Sequence, residues 1–301
     1  MSILVDENTK VLVQGITGKE GSRAAHEMLA YGTKVLAGVT PGKGGQTTED
    51  GVPVFNSVKE AVAQFPEINT ALIVVPPQFV GAAAAESIEA DIPLIDILTE
   101  KVPVAQVATM IALARKHGVV LVGPSSVGII SPKKGKIGSI GSSELVHTIF
   151  SKGNIGVISK SGGMTAEVSR ILTDADLGQS TVIGIGGDLL IGADFVDIAR
   201  LFEKDEDTKA IVIFGEVGGT YEEQLAREMK SGSISKPVVA LIAGQFSEKL
   251  PQDTVLGHAG AIVSKGRGSA ASKIAALKEA GALIADTPED IPGLVRKALQ
   301  K

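Results

Sequence analysis

The chain has 301 residues, of which 44% are hydrophobic and 21% charged, and its formal net charge is -5. This length predicts two domains of ordinary size, and the composition is that of a folded globular protein. The charge is spread without a basic block, which argues against nucleic acid as a partner, and the absence of cysteine excludes disulfides and thiolate metal sites.

The hydropathy of the chain predicts no membrane association. The N-terminus lacks the long apolar run of a signal peptide, and no apolar stretch is long enough to span a bilayer. We therefore expect a cytoplasmic protein, or one of an organelle matrix if a transit peptide has been removed.

The first 130 residues alternate β-branched runs with Ala-rich amphipathic stretches, which predicts parallel strands joined by helices. The predicted strands are Lys10–Gln14, Lys34–Val39, Thr70–Val75, Leu94–Ile97 and Val119–Val122. Residues 1–130 are therefore interpreted as a Rossmann-like domain. From 131 to 153 the pattern lapses into Lys, Gly and Ser, and this stretch is interpreted as a linker.

The alternation resumes from residue 154 to the C-terminus at 301, which predicts a second doubly wound α/β domain. Its predicted helices include Thr165–Thr173 and Tyr221–Lys230. Its predicted strands are Asn154–Ser159, Ser180–Ile185, Lys209–Gly215, Pro237–Ala243 and Gly281–Ile284. In such sheets ligands bind at the carboxyl ends of strands, where the glycine-rich turns fall.

A glycine-rich turn, Gly15–Gly21 (GITGKEG), follows the first strand and opens a helix. Its backbone amides and the helix N-terminus could hold a phosphate, although glycine also simply permits a tight turn. The second strand ends in Thr40–Gly45 (TPGKGG) rather than in the acidic residue of an NAD site. Lys43 favours a ribose phosphate, as in CoA or NADP, unless it is an ordinary solvated charge. Val75–Pro77 and Leu98–Glu100 end the next two strands and favour CoA.

One histidine of four stands out. His258 lies among small residues in Leu256–Ala261 (LGHAGA), which leaves its imidazole accessible. A histidine nucleophile needs a carboxylate to orient its ring, and Glu216 in Phe214–Gly219 (FGEVGG) ends an apolar strand between glycines. Glu216 could also simply cap the helix that follows.

A phosphorylated histidine needs a place for its phosphate. Ser159–Thr165 (SKSGGMT) follows a strand and opens a helix, so it offers amides, hydroxyls and a favourable helix dipole. A second such turn, Gly184–Asp188 (GIGGD), follows the next strand.

Taken together, the motifs QGITGKEG, YGTKVLAGVTPGKGG, VPVFNSVKEAV, SKSGGMTAE, GIGGD, FGEVGG and GHAGAI resemble the α subunit of succinyl-CoA synthetase. The resemblance runs in order from about Ile3 to the C-terminus. It implies an N-terminal Rossmann-like CoA-binding domain followed by a flavodoxin-like ligase domain.

The resemblance also implies roles for individual residues. CoA is expected at Thr17, Gly18, Lys19, Glu20, Pro41, Lys43, Val75, Pro76, Leu98, Thr99 and Glu100. His258 is expected to be phosphorylated and oriented by Glu216, with Ser161, Gly162 and Gly163 receiving the phosphate. No metal site is expected in this chain.

The resemblance further implies a partner, an ATP-grasp β subunit in an αβ or α2β2 assembly that binds ATP or GTP with Mg²⁺ and phosphorylates the histidine. No P-loop occurs in this sequence, which agrees with a nucleotide site elsewhere. The phosphate would pass to a carboxylic acid, and the CoA thiol would attack the acyl phosphate.

Departures from the family pattern concentrate where the acid is expected. Gly123–Gly128 reads GPSSVG instead of GPNCPG, which places Ser125 and Ser126 in the expected substrate site, and Ala166 replaces a tyrosine associated with substrate. The segment Gln245–Leu256 lacks the family's basic stretch. Several changes resemble ATP-citrate lyase or citryl-CoA synthetase, so citrate, malate or sulfoacetate are alternatives to succinate.

Two other function classes remain as alternatives. A non-catalytic CoA- or NADP-sensing regulator could keep the fold with His258 and Glu216 unused. A nicotinamide dehydrogenase would also have a Rossmann-like first half, but the missing G-x-G-x-x-G and ribose-binding acid argue against it.

Overall fold

The computed structural model describes residues 2–142, 144–245, 258, 260–261 and 268–300. The described residues form two successive α/β units, each built on a sheet whose core strands are parallel. This confirms the predicted fold class.

The first sheet has six strands in the order β3-β2-β1-β4-β5-β6, all parallel to their neighbours. This is the Rossmann strand order, with its switch point between β1 and β4. The strands are β1 (Lys10–Gln14), β2 (Lys34–Val39), β3 (Val54–Phe55), β4 (Thr70–Ile73), β5 (Leu94–Ile97) and β6 (Val120–Val122). The helices are α1 (Lys19–Tyr31), α2 (Val58–Gln64), α3 (Val80–Glu89) and α4 (Val104–His117).

Both faces of this sheet are covered, which is why its strands read as apolar runs without alternation. Val11 and Val13 of β1 share one cluster with Met28 of α1. Leu12, which points to the other face, shares a second cluster with residues of α2, α3 and α4, such as Val80.

The second sheet has the order β13-β12-β11-β9-β10-β7-β8. Without the antiparallel pair β7 and β8, the remaining five strands have the flavodoxin-like order, with a switch point between β9 and β11. The strands are β7 (Gly128–Ser131), β8 (Gly135–Gly138), β9 (Lys152–Ser159), β10 (Gln179–Gly184), β11 (Ala210–Glu216), β12 (Val238–Ala243) and β13 (Leu283–Ala285). The helices are α5 (Val146–Ile149), α6 (Gly162–Asp174), α7 (Phe195–Lys204), α8 (Tyr221–Ser231), α9 (Ala270–Glu279) and α10 (Ile291–Leu299).

The stretch 131–153, interpreted above as a linker, is not free of regular structure. It contains β8, α5 and the first residues of β9, and the hairpin β7–β8 extends the second sheet by pairing antiparallel with β10. The sequence did not reveal these strands because each has only four residues, with glycines at three of the four hairpin ends. The limits of the two domains as independent units stay a prediction.

The two units are fastened together through α1 and β8. Thr33, just after α1, donates its hydroxyl to Lys136 O at 2.8 Å and accepts the Lys136 amide at 3.0 Å. The buried ammonium of Lys136 lies 3.3 Å from Glu27 of α1 and donates to Gly141 O at 2.6 Å. The helix whose N-terminus follows the first glycine-rich turn is thereby held against the second sheet.

Across the part of the chain that the structure describes, no helix combines the length and apolar character needed to cross a bilayer.

Candidate active site

The first glycine-rich turn lies at the Rossmann switch point, where it connects β1 to α1. Gly15 has φ +87°, and a Cβ there would lie 2.3 Å from Val74 O, so only glycine lets the turn pack against the end of β4. Gly18 is the N-cap of α1, and no side chain caps this helix, so the first-turn amides of Lys19 and Glu20 have no side-chain acceptor. Such a turn fits a phosphate.

The loop after β2 is held rigidly beside this turn. The Asn56 carboxamide oxygen accepts the amides of both Gly42 and Gly44 at 3.0 Å each. This places the exposed Lys43 ammonium 3.2 Å from Thr17 Oγ1, which lies 3.1 Å from Thr40 Oγ1. A cation and two hydroxyls therefore meet at the phosphate-binding turn, which is the donor set that a ribose phosphate or pyrophosphate requires.

The ends of β4 and β5 complete the same edge of the sheet. Thr99 donates its hydroxyl to Val75 O at 2.7 Å and so joins the two loops. The Leu98 amide donates to Ile73 O at 3.1 Å. The predicted CoA residues thus follow β2, β1, β4 and β5, four adjacent strands, and lie along one edge of the sheet.

The second site brings His258 against Glu216. The distance from His258 Nδ1 to Glu216 Oε2 is 2.6 Å. Glu216 is the last residue of β11 and is buried, whereas the His258 side chain is 39% exposed. With Nδ1 facing the carboxylate, neutral His258 carries its proton on Nδ1 and leaves Nε2 free as a nucleophile.

Lys160, the residue after β9, contacts the other oxygen of Glu216. Its buried ammonium lies 3.3 Å from Glu216 Oε1. Burial raises the pKa of Glu216, but the hydrogen bond with His258 and the Lys160 charge outweigh burial and hold the pKa below its ordinary value. The hydrogen bond with Glu216 raises the pKa of His258 despite partial burial of the ring.

Two turns surround the imidazole and the carboxylate. Ser161 caps α6 by accepting the Met164 amide at 3.4 Å, so α6 begins at Gly162, three residues earlier than predicted. A Cβ on Gly163 would meet no atom within 4 Å, so this helix start is open. A Cβ on Gly187 would lie 2.7 Å from His258 Cγ, which shows that the ring packs on the backbone of the turn after β10.

The two sites meet at the loop after β5. Glu100, expected at the CoA site, is close enough to His258 for its charge to raise the pKa of the imidazole. Burial and the same Glu100 charge raise the pKa of Asp188, whose carboxylate accepts the Lys101 amide. The loop after β5, where CoA is expected, therefore lies near the histidine of the second unit.

Models of two families match the chain, the CoA binding domain over residues 6–101 and the CoA-ligase over residues 158–283. The chain is 46% identical over 300 residues to the ADP-forming succinate–CoA ligase subunit alpha 1 of Archaeoglobus fulgidus, covering 100% of this chain and 99% of that protein. This chain belongs to the succinate–CoA ligase α-subunit family.

Two other similar proteins act on different acids. An ADP-forming sulfoacetate–CoA ligase subunit of an Acholeplasma species is 40% identical over 297 residues, covering 99% of this chain and 98% of that protein. The structure of ATP citrate lyase from Methanothrix soehngenii, in complex with citrate and coenzyme A, matches with a TM-score of 0.92 and 28% identity. The match covers 99% of this chain, which spans half the length of that one.

Two of the residues predicted for the acid, Ser125 and Ser126, lie between the two units of this family member. Ser126 donates its hydroxyl to Gly184 O of β10 at 2.7 Å, and the Ser125 amide donates to Thr99 O at 3.0 Å. A Cβ on Gly162 would lie 3.3 Å from Val127, so the start of α6 packs against the same segment. Ala166 is half-buried one turn further along α6.

Some predicted features of the histidine motif lie outside the described residues. These are Gly257 and Ala259, the immediate neighbours of His258, and the segment 246–256 whose composition departs from the family.

Sequence reasoning missed the residues that hold the site in place. Lys160 was noted only as part of a phosphate turn, although a charge directly after an apolar strand was a signal for it. Asn56 had no signal beyond its position after β3. Lys273 gave none, because it reads as a surface lysine of an Ala-rich helix.

A buried ion pair supports the backbone that carries Glu216. Lys273 of α9 and Glu222 of α8 have fully buried side chains and contact each other through the ammonium and carboxylate. Glu222 Oε1 accepts the Glu216 amide at 3.2 Å, and Lys273 donates to Gly218 O at 2.7 Å. The pair therefore fixes the turn on both sides of Glu216.

We expect Lys273→Met to destabilise the protein by about 3–5 kcal/mol, because it leaves the Glu222 carboxylate buried without its partner. Adding Glu222→Gln should restore much of this stability, since the amide oxygen can still accept the Glu216 amide. Urea unfolding measures both. Lys230→Met, which removes a surface pair with Glu279, is the control and should shift the midpoint little.

We expect Lys43→Ala to weaken CoA binding by about 10–100-fold, because it removes one charge-assisted contact with a phosphate. Calorimetric titration with CoA at two salt concentrations measures this loss, which should shrink at high salt. Lys34→Ala, at the opposite end of the same strand β2, is the matched control. Equal affinity of the Lys43 and Lys34 variants would contradict the assignment of Lys43.

Proposed function

We propose that this chain is the phosphohistidine-carrying α subunit of a nucleoside-diphosphate-forming acid–CoA ligase. The observation that supports this best is the 2.6 Å contact between His258 Nδ1 and Glu216, which leaves Nε2 free as a nucleophile. The first step transfers a phosphoryl group from a nucleoside triphosphate to Nε2. The N–P bond forms as the bond from phosphorus to the bridging oxygen breaks, and the diphosphate leaves.

Glu216 supports this step electrostatically. Nε2 develops positive charge on the ring as it attacks phosphorus, and the ionised carboxylate at Nδ1 stabilises that charge. Lys160 keeps Glu216 ionised although it is buried. Gly162 and Gly163 supply amides, Ser161 supplies a hydroxyl, and α6 supplies the positive end of its dipole for the phosphoryl oxygens.

The second and third steps occur between the two units. A carboxylate oxygen of the acid attacks phosphorus, the N–P bond breaks, and His258 returns to its neutral form. CoA supplies the thiol that displaces phosphate from the acyl carbon, and the thiol proton leaves with the phosphate. The chain holds CoA through Thr17 to Glu20, Pro41, Lys43, Val75, Pro76 and Leu98 to Glu100.

The phosphoryl donor requires a partner. We propose an ATP-grasp β subunit that binds ATP or GTP with Mg²⁺, in an αβ or α2β2 assembly in the cytoplasm. The relatives of this chain are named as α subunits, which supports a hetero-oligomer. The similar ATP citrate lyase chain, by contrast, is twice as long as this chain.

The acid is succinate or a close relative. Ser125, Ser126 and Ala166 replace family residues at the expected acid site, and similar proteins are named for sulfoacetate and citrate. These observations favour a second candidate, the same chemistry on sulfoacetate, citrate or malate.

The test is an assay of the chain co-expressed with its cognate ATP-grasp subunit. Thioester formation from CoA, ATP and each of succinate, citrate, malate and sulfoacetate identifies the acid, with His258→Ala as the blank. Activity with succinate alone would mean that the departures from the family motif at Ser125–Val127 do not alter the choice of acid. CoA binding without thioester formation or phosphohistidine for any acid would overturn the proposal in favour of a sensor.

A further inference from the structure

A single carboxyl group lies inside the apolar centre of the first sheet. Asp96 of β5 is fully buried, and its register partners are Leu72 of β4 and Val122 of β6. Leu72 in turn pairs with Val13 of β1, so one row across the sheet reads Val, Leu, Asp, Val. A carboxylate with two apolar lateral neighbours is costly to bury unless it is neutral or paired.

Neither oxygen of Asp96 has a hydrogen-bond partner of normal geometry. The nearby polar side chain is Ser126, whose amide donates to O of Ile97, the residue after Asp96, at 3.1 Å. The Ser126 hydroxyl already donates its one proton to Gly184 O at 2.7 Å and accepts the Gly128 amide at 2.9 Å. Only a lone pair of Ser126 Oγ therefore remains, so a hydrogen bond between Asp96 and this hydroxyl would take its proton from Asp96.

The charged groups on the elements that cover this face of the sheet have partners of their own. Glu27 and Lys136 pair with each other, the Asp188 carboxylate accepts the Lys101 amide, and the Asp194 carboxylate accepts the amides of Val196 and Asp197. On the other face, Glu86 of α3 accepts the Val58 amide. Burial raises the pKa of Asp96 to about 7, with opposition only from Ser126 and the Ile97 amide.

We propose that Asp96 is a positioning residue that acts as a neutral carboxylic acid, donating a hydrogen bond to Ser126 Oγ and thereby holding the segment 123–128 between the two units. The chain of contacts runs from Asp96 in the first sheet through Ser126 to Gly184, the last residue of β10 in the second. Ser125 and Ser126 are the residues proposed to contact the acid, so the inference rests on the proposed function for its effect on substrate.

Two variants separate the protonated from the ionised form. Asp96→Asn keeps the shape and can donate its amide to Ser126 Oγ at every pH, whereas Asp96→Leu fills the space without a donor. We expect the Michaelis constant of the wild type for the acid to rise about 5–10-fold between about pH 6 and about pH 8, the loss of one hydrogen bond. In Asp96→Asn the Michaelis constant should change by no more than about 2-fold over this range. In Asp96→Leu it should be raised at both pH values. In each variant kcat should change less than the Michaelis constant.

Two readouts do not depend on activity. Infrared spectra of the full chain near pH 6, where exposed carboxyls are ionised, should show a carboxylic-acid band that Asp96→Asn lacks and that Asp91→Asn, an exposed control, retains. The folded-state pKa exceeds the unfolded one, so the folded chain keeps a proton that the unfolded chain releases between about pH 4 and about pH 7. Over that range the urea midpoint of the wild type should fall relative to Asp96→Asn, with no further relative change above it.

The outcomes are distinguishable. Absence of the acid band, or a urea midpoint difference that does not change with pH, overturns the neutral form of Asp96. A retained band with the same pH dependence of the Michaelis constant in wild type and Asp96→Asn overturns the positioning role. Failure of thioester formation with all acids, with the band and the midpoint shift present, overturns the proposed function and leaves the contact between the units intact.

Discussion

Replacement of His258 by alanine is expected to lower thioester formation by about 10⁴-fold or more, because it removes the proposed carrier of the phosphoryl group. The variant should take up no label from γ-³²P-ATP in the presence of the cognate β subunit. CoA affinity should be unchanged, since the residues predicted to bind CoA follow β1, β2, β4 and β5 in the first unit.

His117→Ala is the matched control. This histidine ends α4, and its only described ionic neighbour is Asp91 at 3.9 Å. It should keep both labelling and turnover. Activity retained by His258→Ala would rule out the phosphohistidine mechanism, whereas loss of CoA binding in the same variant would point to a wider structural change.

Glu216→Gln is expected to slow phosphorylation of His258 by about 10²–10⁴-fold, although the fold persists. The amide cannot stabilise positive charge on the ring as Nε2 attacks, and it leaves the buried Lys160 ammonium beside the imidazole without its partner. Both effects also lower the pKa of His258, because the hydrogen bond with Glu216 is the main cause that raises it.

The sign of the pH effect follows. Phosphorylation needs the neutral imidazole, so the wild-type rate rises with pH as His258 loses its proton, at a pH above that of an ordinary histidine. In Glu216→Gln this rise should move to lower pH while the plateau falls. Rapid-quench labelling across pH measures both, with Glu228→Gln, which loses a surface pair with Arg200, as the control. An unshifted profile would contradict the role of Glu216.

The predicted strands are largely found where the sequence puts them. Lys10–Gln14, Lys34–Val39 and Leu94–Ile97 match the structure residue for residue. Apolar runs bounded by glycine-rich turns specify such buried parallel strands locally. β3, β7 and β8 were not predicted, because strands of two to four residues are too short to show a hydrophobic period.

The sequence by itself determined the residue types of the site: a histidine among small residues, an acid at the end of a strand, and glycine-rich turns that open helices. These are local patterns, and the order of the motifs also indicated the family. Only the tertiary structure decided that His258 Nδ1 faces Glu216, that Lys160 contacts the other oxygen, and that Glu100 lies near the same ring.

The reason is that these contacts join residues far apart in sequence, and their geometry depends on strand order. β9 and β11 are neighbours at the switch point. This sets Lys160 beside Glu216, although the two residues are 56 positions apart in the sequence. The surroundings of Asp96 also could not be predicted from the sequence, in which it is simply one acid in an apolar strand. Its apolar register partners and its polar neighbour Ser126 come next to it only when β4, β5 and β6 pair.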